Sequence, residues 1–278
     1  MLKLIPVYSP TRTEQWDQCQ LKSHIQHDLH WVPRQASKAL VGALCGQAFA
    51  VGMAAFHKGV TVDMLTAQAL DHLRRGIDHH VKHGVLFDGP AEAIVDGSGL
   101  SEVLGKYSKE NPFSAWQILD VETTLEEYGR CRIDIGGVDS DGVLAVADAK
   151  YKRNLKPEYE SSTIDEYFTS WQFMHYPWAY GAYKGTPCHR MYLCLVVWKP
   201  RFYIKLVPHE IHPDTQAIWL ASARQKWGRM GRTDTVPEMS TRHRDQFGWC
   251  PYYRACFQYH LDESLFGNDY VKVPRMEG

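Results

Sequence analysis

The stretch Arg132-Ile133-Asp134-Ile135-Gly136-Gly137-Val138-Asp139-Ser140-Asp141-Gly142-Val143-Leu144-Ala145-Val146-Ala147-Asp148-Ala149-Lys150 decides how this chain folds. It reads as two apolar strands, 130–138 and 143–150, joined by a turn at Asp139-Ser140-Asp141-Gly142. Asp134 interrupts the first strand at its middle, and Asp148 and Lys150 end the second. Strand alternation puts Asp134 on one face with Ile133 and Ile135 on the other, and gives Leu144, Val146, Asp148 and Lys150 a common face. Pairing around the turn brings Asp134 close to Asp148. Charge buried on strands is costly unless something compensates it.

Outward from the hairpin, the periods alternate between strand and helix. Residues 116–124 read as a strand carrying Glu122. Residues 36–57 are rich in Ala, Gly, Leu and Val and predict a buried helix ending near Lys58-Gly59. In 62–82, Leu65, Ala69, Leu73, Ile77 and Val81 recur at helical spacing, with His72, His79, His80 and His83 read as part of a solvated face. Residues 84–112 predict loop with a short helix near 101–107. Residues 161–184 read as helical and aromatic, 191–198 and 202–207 as two more strands, and 213–229 as a helix presenting Ile218, Ala221 and Trp227. A short helix is expected from about Glu14. The expectation is an α/β fold with a mixed central sheet flanked by helices. It forms a single unit over 1–278, with a mainly helical part over 1–115, the sheet over 116–210, and a helix and tail over 211–278 that pack on the N-terminal part.

The 278 residues are 44% hydrophobic and 23% charged, which suits a globular protein with a full core. No run of about 18 apolar residues is evident, and the N-terminus is too quickly broken by Pro6 to read as a secretory signal, so a cytoplasmic location is expected, in a bacterial or phage-infected cell. Seven cysteines, an odd count, argue against a disulfide framework. Cys45, Cys131, Cys188 and Cys194 lie in apolar surroundings and read as core. The net charge of −1 neither announces nor excludes a polyanionic partner, because local patches govern binding. Two basic groups stand out: Lys150, Lys152, Arg153 and Lys156 beside the acidic strands, and Arg224, Lys226, Arg229, Arg232, Arg242, Arg244 and Arg254. The aromatics Trp249, Tyr252, Tyr253 and Phe257 in the tail serve either as core or as a surface on which bases stack.

Chemically, Asp134 and Asp148, with Glu122 within reach, offer hard oxygen ligands on a rigid frame, which suits Mg²⁺ or Mn²⁺. Such an ion would polarise a phosphate and lower the pKa of a bound water, while Lys150 would stabilise developing negative charge. An Asp148–Lys150 surface pair on an edge strand is the plainer alternative.

In their order along the chain these residues resemble the PD-(D/E)XK nuclease superfamily, in particular its RecB-type branch of CRISPR adaptation-module and bacteriophage exonucleases. The resemblance covers nearly the whole chain: Ser9-Pro10-Thr11 with Trp16 and Asp17-Gln18-Cys19, a helix ending Gly52-Met53-Ala54-Ala55-Phe56-His57, then Glu122, Asp134, Asp148 and Lys150, then Gln172-Phe173-Met174-His175-Tyr176 as Q-x-x-x-Y. It implies that His57, Asp134, Asp148 and the Ala149 carbonyl ligate metal, that Glu122 is an accessory acid, that Lys150 is catalytic, and that Gln172 and Tyr176 face the DNA or the site together. The interval from Gly52 to His57 is one residue longer than the common Gly-x-x-x-His.

Many members of that branch also hold an iron–sulfur cluster on one N-terminal and three C-terminal cysteines spaced C-x-x-C-x5-C. Here Cys19, Cys250 and Cys256 match, but Phe247 stands where a fourth cysteine is expected. Either His243 or an outside ligand completes a [4Fe–4S] set, or an aromatic core pins the termini instead; a tetrahedral zinc is a further alternative. The function expected is a Mg²⁺- or Mn²⁺-dependent exonuclease acting on single-stranded DNA or DNA ends, in recombination, repair, CRISPR or phage contexts. The alternatives are a catalytically inactive DNA-binding or scaffold protein with this fold and a restriction-type endonuclease.

Overall fold

The computed structural model describes residues 8, 10, 12–13, 16, 19–230, 244–245, 248–249, 252, 255–256 and 263–274. After helical turns at Gln20–Ser23 and His24–Asp28 come a short strand β1 (Trp31–Pro33) and helix α1 (Lys38–His57). The Ser37 side chain caps α1 by accepting from Leu40 N at 3.1 Å, and Gly59, at φ 81°, takes the left-handed backbone that ends it. Ser37→Ala should cost about 1 kcal/mol, read as a lowered urea midpoint with unchanged slope. Helices α2 (Val62–Lys82), α3 (Ala91–Asp96) and α4 (Leu100–Glu110) follow.

The sheet is built from β2 (Gln117–Leu125), β3 (Cys131–Val138), β4 (Leu144–Asn154), β5 (Arg190–Lys199) and β6 (Tyr203–Glu210), hydrogen-bonded in that order. All neighbours are antiparallel except β4 and β5, which run parallel. A parallel pair needs a crossover, here supplied by α5 (Glu160–Phe168) and α6 (Trp171–Lys184). Helices α1, α2 and α4 cover one face of the sheet through Phe49, Leu73, Leu104, Tyr107 and Ile135. Helix α6 covers the other through Phe173, Tyr176 and Tyr180 against Val146 and Leu193. The chain is therefore an α/β protein with a five-stranded mixed sheet between helical layers. Helix α7 (Pro213–Met230) packs on α6, and β7 (Tyr270–Lys272) pairs antiparallel with β1, tying the end of the chain to its beginning.

Two local features seat β3 and β4. Asp139 Oδ1 accepts from Asp141 N and Val143 N, both at 3.0 Å, and closes the β3–β4 turn. Gly136 of β3 lies under the Tyr180 ring, so that an added Cβ would stand 2.4 Å from Tyr180 Cζ. This close approach draws α6 onto β3. Gly136→Ala should cost about 1–3 kcal/mol through overpacking, measurable as a fall in melting temperature.

Several expectations are corrected. The helical stretch expected over 161–184 is two helices, because Ser170 takes extended backbone (φ −73°, ψ 154°) and starts α6 afresh. In α7 the buried stripe is Gln216, Ala223 and Trp227, whereas Ile218 is 71% exposed and Ala221 is also exposed. Ile218 lies half a turn out of phase with Trp227, so the two cannot share a face. On α2, Val81 is exposed although Leu65, Ala69, Leu73 and Ile77 are buried. His79, His80 and His83 are half-buried rather than solvated, with His79 Nε2 2.8 Å from the Pro274 carbonyl. The stretch Leu40–His57 does reach a mean hydropathy of 1.5 over 18 residues, but half of it is buried, and it lies on the sheet and α2. The expected start at Glu14 lies outside the described residues.

Candidate active site

The site forms where β3, β4 and α6 meet. The ladder pairs Ile135 with Ala147 and Gly136 with Val146, and one further step along the same register sets Asp134 opposite Asp148. Asp134 Oδ2 accepts from Ala149 N at 2.9 Å, so the carboxylate reaches across to the neighbouring strand. Lys150, two residues along the same face of β4, places Nζ 2.7 Å from Asp148 Oδ2. Gln172, in the first turn of α6, joins the pair from above: its Nε2 donates to Asp148 Oδ1 at 2.6 Å, and its Oε1 accepts from Lys150 Nζ at 3.0 Å. Tyr176 follows one helical turn later, its phenol buried. The structure thus gathers Asp134, Asp148, Lys150, Gln172 and Tyr176.

On β2, the register sets Glu122 opposite Asp134, between the pairs Val121–Ile135 and Thr123–Ile133. Glu122 has φ 52°, and the alternation of β3 breaks at the same place. Ile135 packs in the α1 layer and Ile133 in the α6 layer, so the two isoleucines do not share the face expected of them. A left-handed residue in one strand twists the ladder locally and redirects the partner's side chains.

Burial dominates the electrostatics. It pushes the Asp134 carboxyl up, reinforced by the charge of Asp148 and opposed by Lys150. Asp148 is pushed up by burial and held back by the Lys150 ammonium. Glu122 is raised by burial, with Arg132 and Lys58 opposing. Among the described residues the buried Glu122 Oε1 has no hydrogen-bond donor, and Asp148 Oδ2 meets only the Lys150 ammonium, at 2.7 Å. Three carboxyls crowded out of water, with one oxygen undonated and a single ammonium among them, are the arrangement a hard divalent cation relieves. By that test Asp134 and Asp148, with Glu122 beside them, fit such an ion.

His57 ends α1, and its Nε2 lies 3.0 Å from the Tyr107 hydroxyl, with Phe56 and Phe113 edge-on to the ring. Burial lowers its pKa to about 4, so the imidazole is neutral at physiological pH. Ala149, expected to offer its carbonyl, turns its amide to Asp134. Among the described residues, no three His, Cys, Asp or Glu side chains converge as a ready metal-binding group.

Three contributors were not singled out from sequence. Arg132 Nε lies 2.8 Å from Glu122 Oε2. Tyr107 positions His57. The Tyr167 ring lies beneath two ammonium groups, 5.7 Å from Lys150 Nζ and 5.2 Å from Lys152 Nζ. Arg132 flanks Asp134 in the sequence, whereas nothing local marks the two tyrosines.

Of the second basic group, Lys226 covers the Trp171 ring at 4.1 Å and Arg229 the Trp16 ring at 5.3 Å, while Arg232, Arg242 and Arg254 lie outside the described residues. Cys19 and Cys256 both pack on one cluster of Ile25, Tyr252, Ala255, Phe266 and Tyr270. Tyr252 is buried there, its ring 5.8 Å from that of Tyr270. His243, Phe247, Cys250, Tyr253 and Phe257, with Ser9, Thr11, Asp17 and Gln18 of the N-terminal motif, lie outside the described residues. No protein-family profile matches this sequence, and no curated protein matches it.

Proposed function

We propose that this chain is a cation-dependent deoxyribonuclease of PD-(D/E)XK type, an exonuclease on single-stranded DNA or DNA ends. The observation that carries the reading is the meeting of Asp134, Asp148 and Lys150 through Ala149 N and Gln172, beside the buried Glu122 oxygen that lacks a donor among the described residues. Mg²⁺ or Mn²⁺ held by Asp134 and Asp148, with Glu122 alongside, would polarise the scissile phosphate and lower the pKa of the attacking water. Lys150, aimed by Gln172 and seated over Tyr167, stands beside the place where negative charge grows on the phosphate. Burial raises Tyr176 well above the ordinary phenol value, so it stays protonated and available as a donor. His57, already neutral, would join the ligand set by exchanging Tyr107 for the ion.

The test is a time course on end-labelled single- and double-stranded DNA with Mg²⁺ or Mn²⁺. Progressive shortening from ends supports the reading, and discrete fragments from plasmid DNA would make the enzyme a restriction-type endonuclease. One observation favours a non-catalytic DNA-binding protein: both oxygens of Asp148 already face Gln172 or Lys150. Retention of DNA without turnover across several metals would establish that alternative.

The termini carry a second proposal, a [4Fe–4S] cluster on Cys19, Cys250 and Cys256 with His243 or an outside group as the fourth ligand. Anaerobically purified protein should then show a broad visible absorption that dithionite bleaches. A colourless protein with no bound iron would leave the aromatic cluster alone holding the termini.

A further inference from the structure

Glu122 and Arg132 form a pair with more structure than a surface contact requires. The ladder matches Thr124 with Arg132, so Glu122 reaches diagonally across β2 and β3 to set Oε2 2.8 Å from Arg132 Nε. A cross-strand Glu–Arg pair is ordinarily a small stabiliser. Here Glu122 sits at φ 52°, a conformation that non-glycine residues adopt rarely and that concentrates at functional sites. Its second oxygen, Oε1, is buried without a donor among the described residues. The Glu122 side chain is 13% exposed whereas that of Arg132 is 50% exposed, so the acid is inside and the guanidinium outside. Arg132 is also near enough to Asp148 for its charge to steady that carboxylate, and Lys58 does the same for Glu122 from the end of α1. The mouth of the acidic site therefore carries cations on two sides.

We propose that Arg132 receives a backbone phosphate of a nucleic-acid strand, and that Glu122 occupies the guanidinium until the phosphate arrives. The planar donor fork of arginine suits a phosphate as well as it suits a carboxylate. An incoming phosphate takes the guanidinium and releases Glu122 toward Asp134 and Asp148. Arg132 is thus a substrate-binding residue, and Glu122 couples strand entry to completion of the carboxylate set. The inference rests on the site being one that takes DNA.

The full chain is tested for binding to a fluorescent oligothymidylate in EDTA, so that no cleavage intervenes. Arg132→Ala should weaken binding about tenfold and reduce the dependence of log K on log salt by about one contact, with Arg132→Lys recovering part of the loss. Glu122→Gln should tighten binding several-fold, because it removes the charge that competes for the guanidinium. Opposite signs for the two variants are required, since a merely structural pair would make both weaken binding. Wild-type affinity and salt slope for Arg132→Ala, or weaker binding by Glu122→Gln, would overturn the proposal. If cleavage sensitive to Lys150→Ala persists in that case, the nuclease reading stands and only the phosphate role falls. Failure of the wild-type protein both to bind and to cleave DNA would remove both.

Discussion

Lys150→Ala is expected to lower the rate of DNA cleavage by about 10²–10³-fold, the usual cost of removing one preorganised charge stabiliser. The ammonium lies 2.7 Å from Asp148 Oδ2 and 3.0 Å from Gln172 Oε1, and alanine removes both contacts. The loss should fall on kcat more than on KM, because the charge that Lys150 meets grows in the transition state. The side chain is 24% exposed on β4, so the fold should survive. Asp148 loses the cation that holds its carboxyl down, and the variant should melt somewhat lower at neutral pH. Single-turnover cleavage beside circular dichroism separates the two effects. Undiminished cleavage by a folded Lys150→Ala protein would refute the catalytic assignment.

Asp134→Asn should abolish cleavage and yet stabilise the cation-free protein at neutral pH by about 2 kcal/mol, within the range seen when buried charge is replaced by a neutral group. The amide oxygen of asparagine can still accept from Ala149 N, while the carboxyl that burial and the neighbouring Asp148 charge force to keep its proton is replaced by a group with none to hold. Most core substitutions destabilise, so a gain here would mark a site held under electrostatic load for function. The same load sets the pH profile. In the unfolded chain aspartates ionise near about 4. In the folded protein burial keeps protons on Asp134 and Asp148 to higher pH, so the native state binds more protons above that value. Stability therefore falls as pH rises from there through the raised folded values, and Asp134→Asn should flatten this limb.

His57 and His175 act with the opposite sign. Burial lowers both to about 4, whereas the unfolded imidazole ionises near about 6.5. Their neutral forms contribute stability that is fully present above the unfolded value and is lost as pH falls from there through the folded value. Between about 4 and 6.5 the two effects oppose each other, and above that window only the carboxyl limb remains, so the cation-free protein should lose stability toward alkaline pH, a profile that thermal melts from acid to alkaline buffer would trace.

Much of this architecture was legible from local pattern. The strands were read to within a few residues, since an apolar run with period two and an Asp-Gly turn has few competing folds. The meeting of Asp134 with Asp148 followed from register alone. Other features depended on partners distant in sequence. Periodicity shows that 213–229 is helical, but the choice of Trp227 and Ala223 over Ile218 as the buried stripe belongs to α6 and its tryptophans. His79 looked solvated because Pro274, which covers it, comes 195 residues later. The break in alternation at Asp134 comes from the left-handed backbone of Glu122 on the next strand, which no side-chain pattern announces. Tyr107 and Arg132 carry no sequence signal for a related reason: each matters through one contact, with His57 and with Glu122, and a single contact leaves no periodic trace.

The central claim is that two strands hold Asp134 and Asp148 as one hard-cation site, and direct Mn²⁺ titration by electron paramagnetic resonance tests it without relying on turnover. The wild-type protein should bind Mn²⁺ saturably, Mg²⁺ should compete for the same site, and Asp134→Asn and Asp148→Asn should each lose that binding while Lys150→Ala keeps it. Mn²⁺ binding that is absent in the wild type, or unchanged in both aspartate variants, would contradict the account.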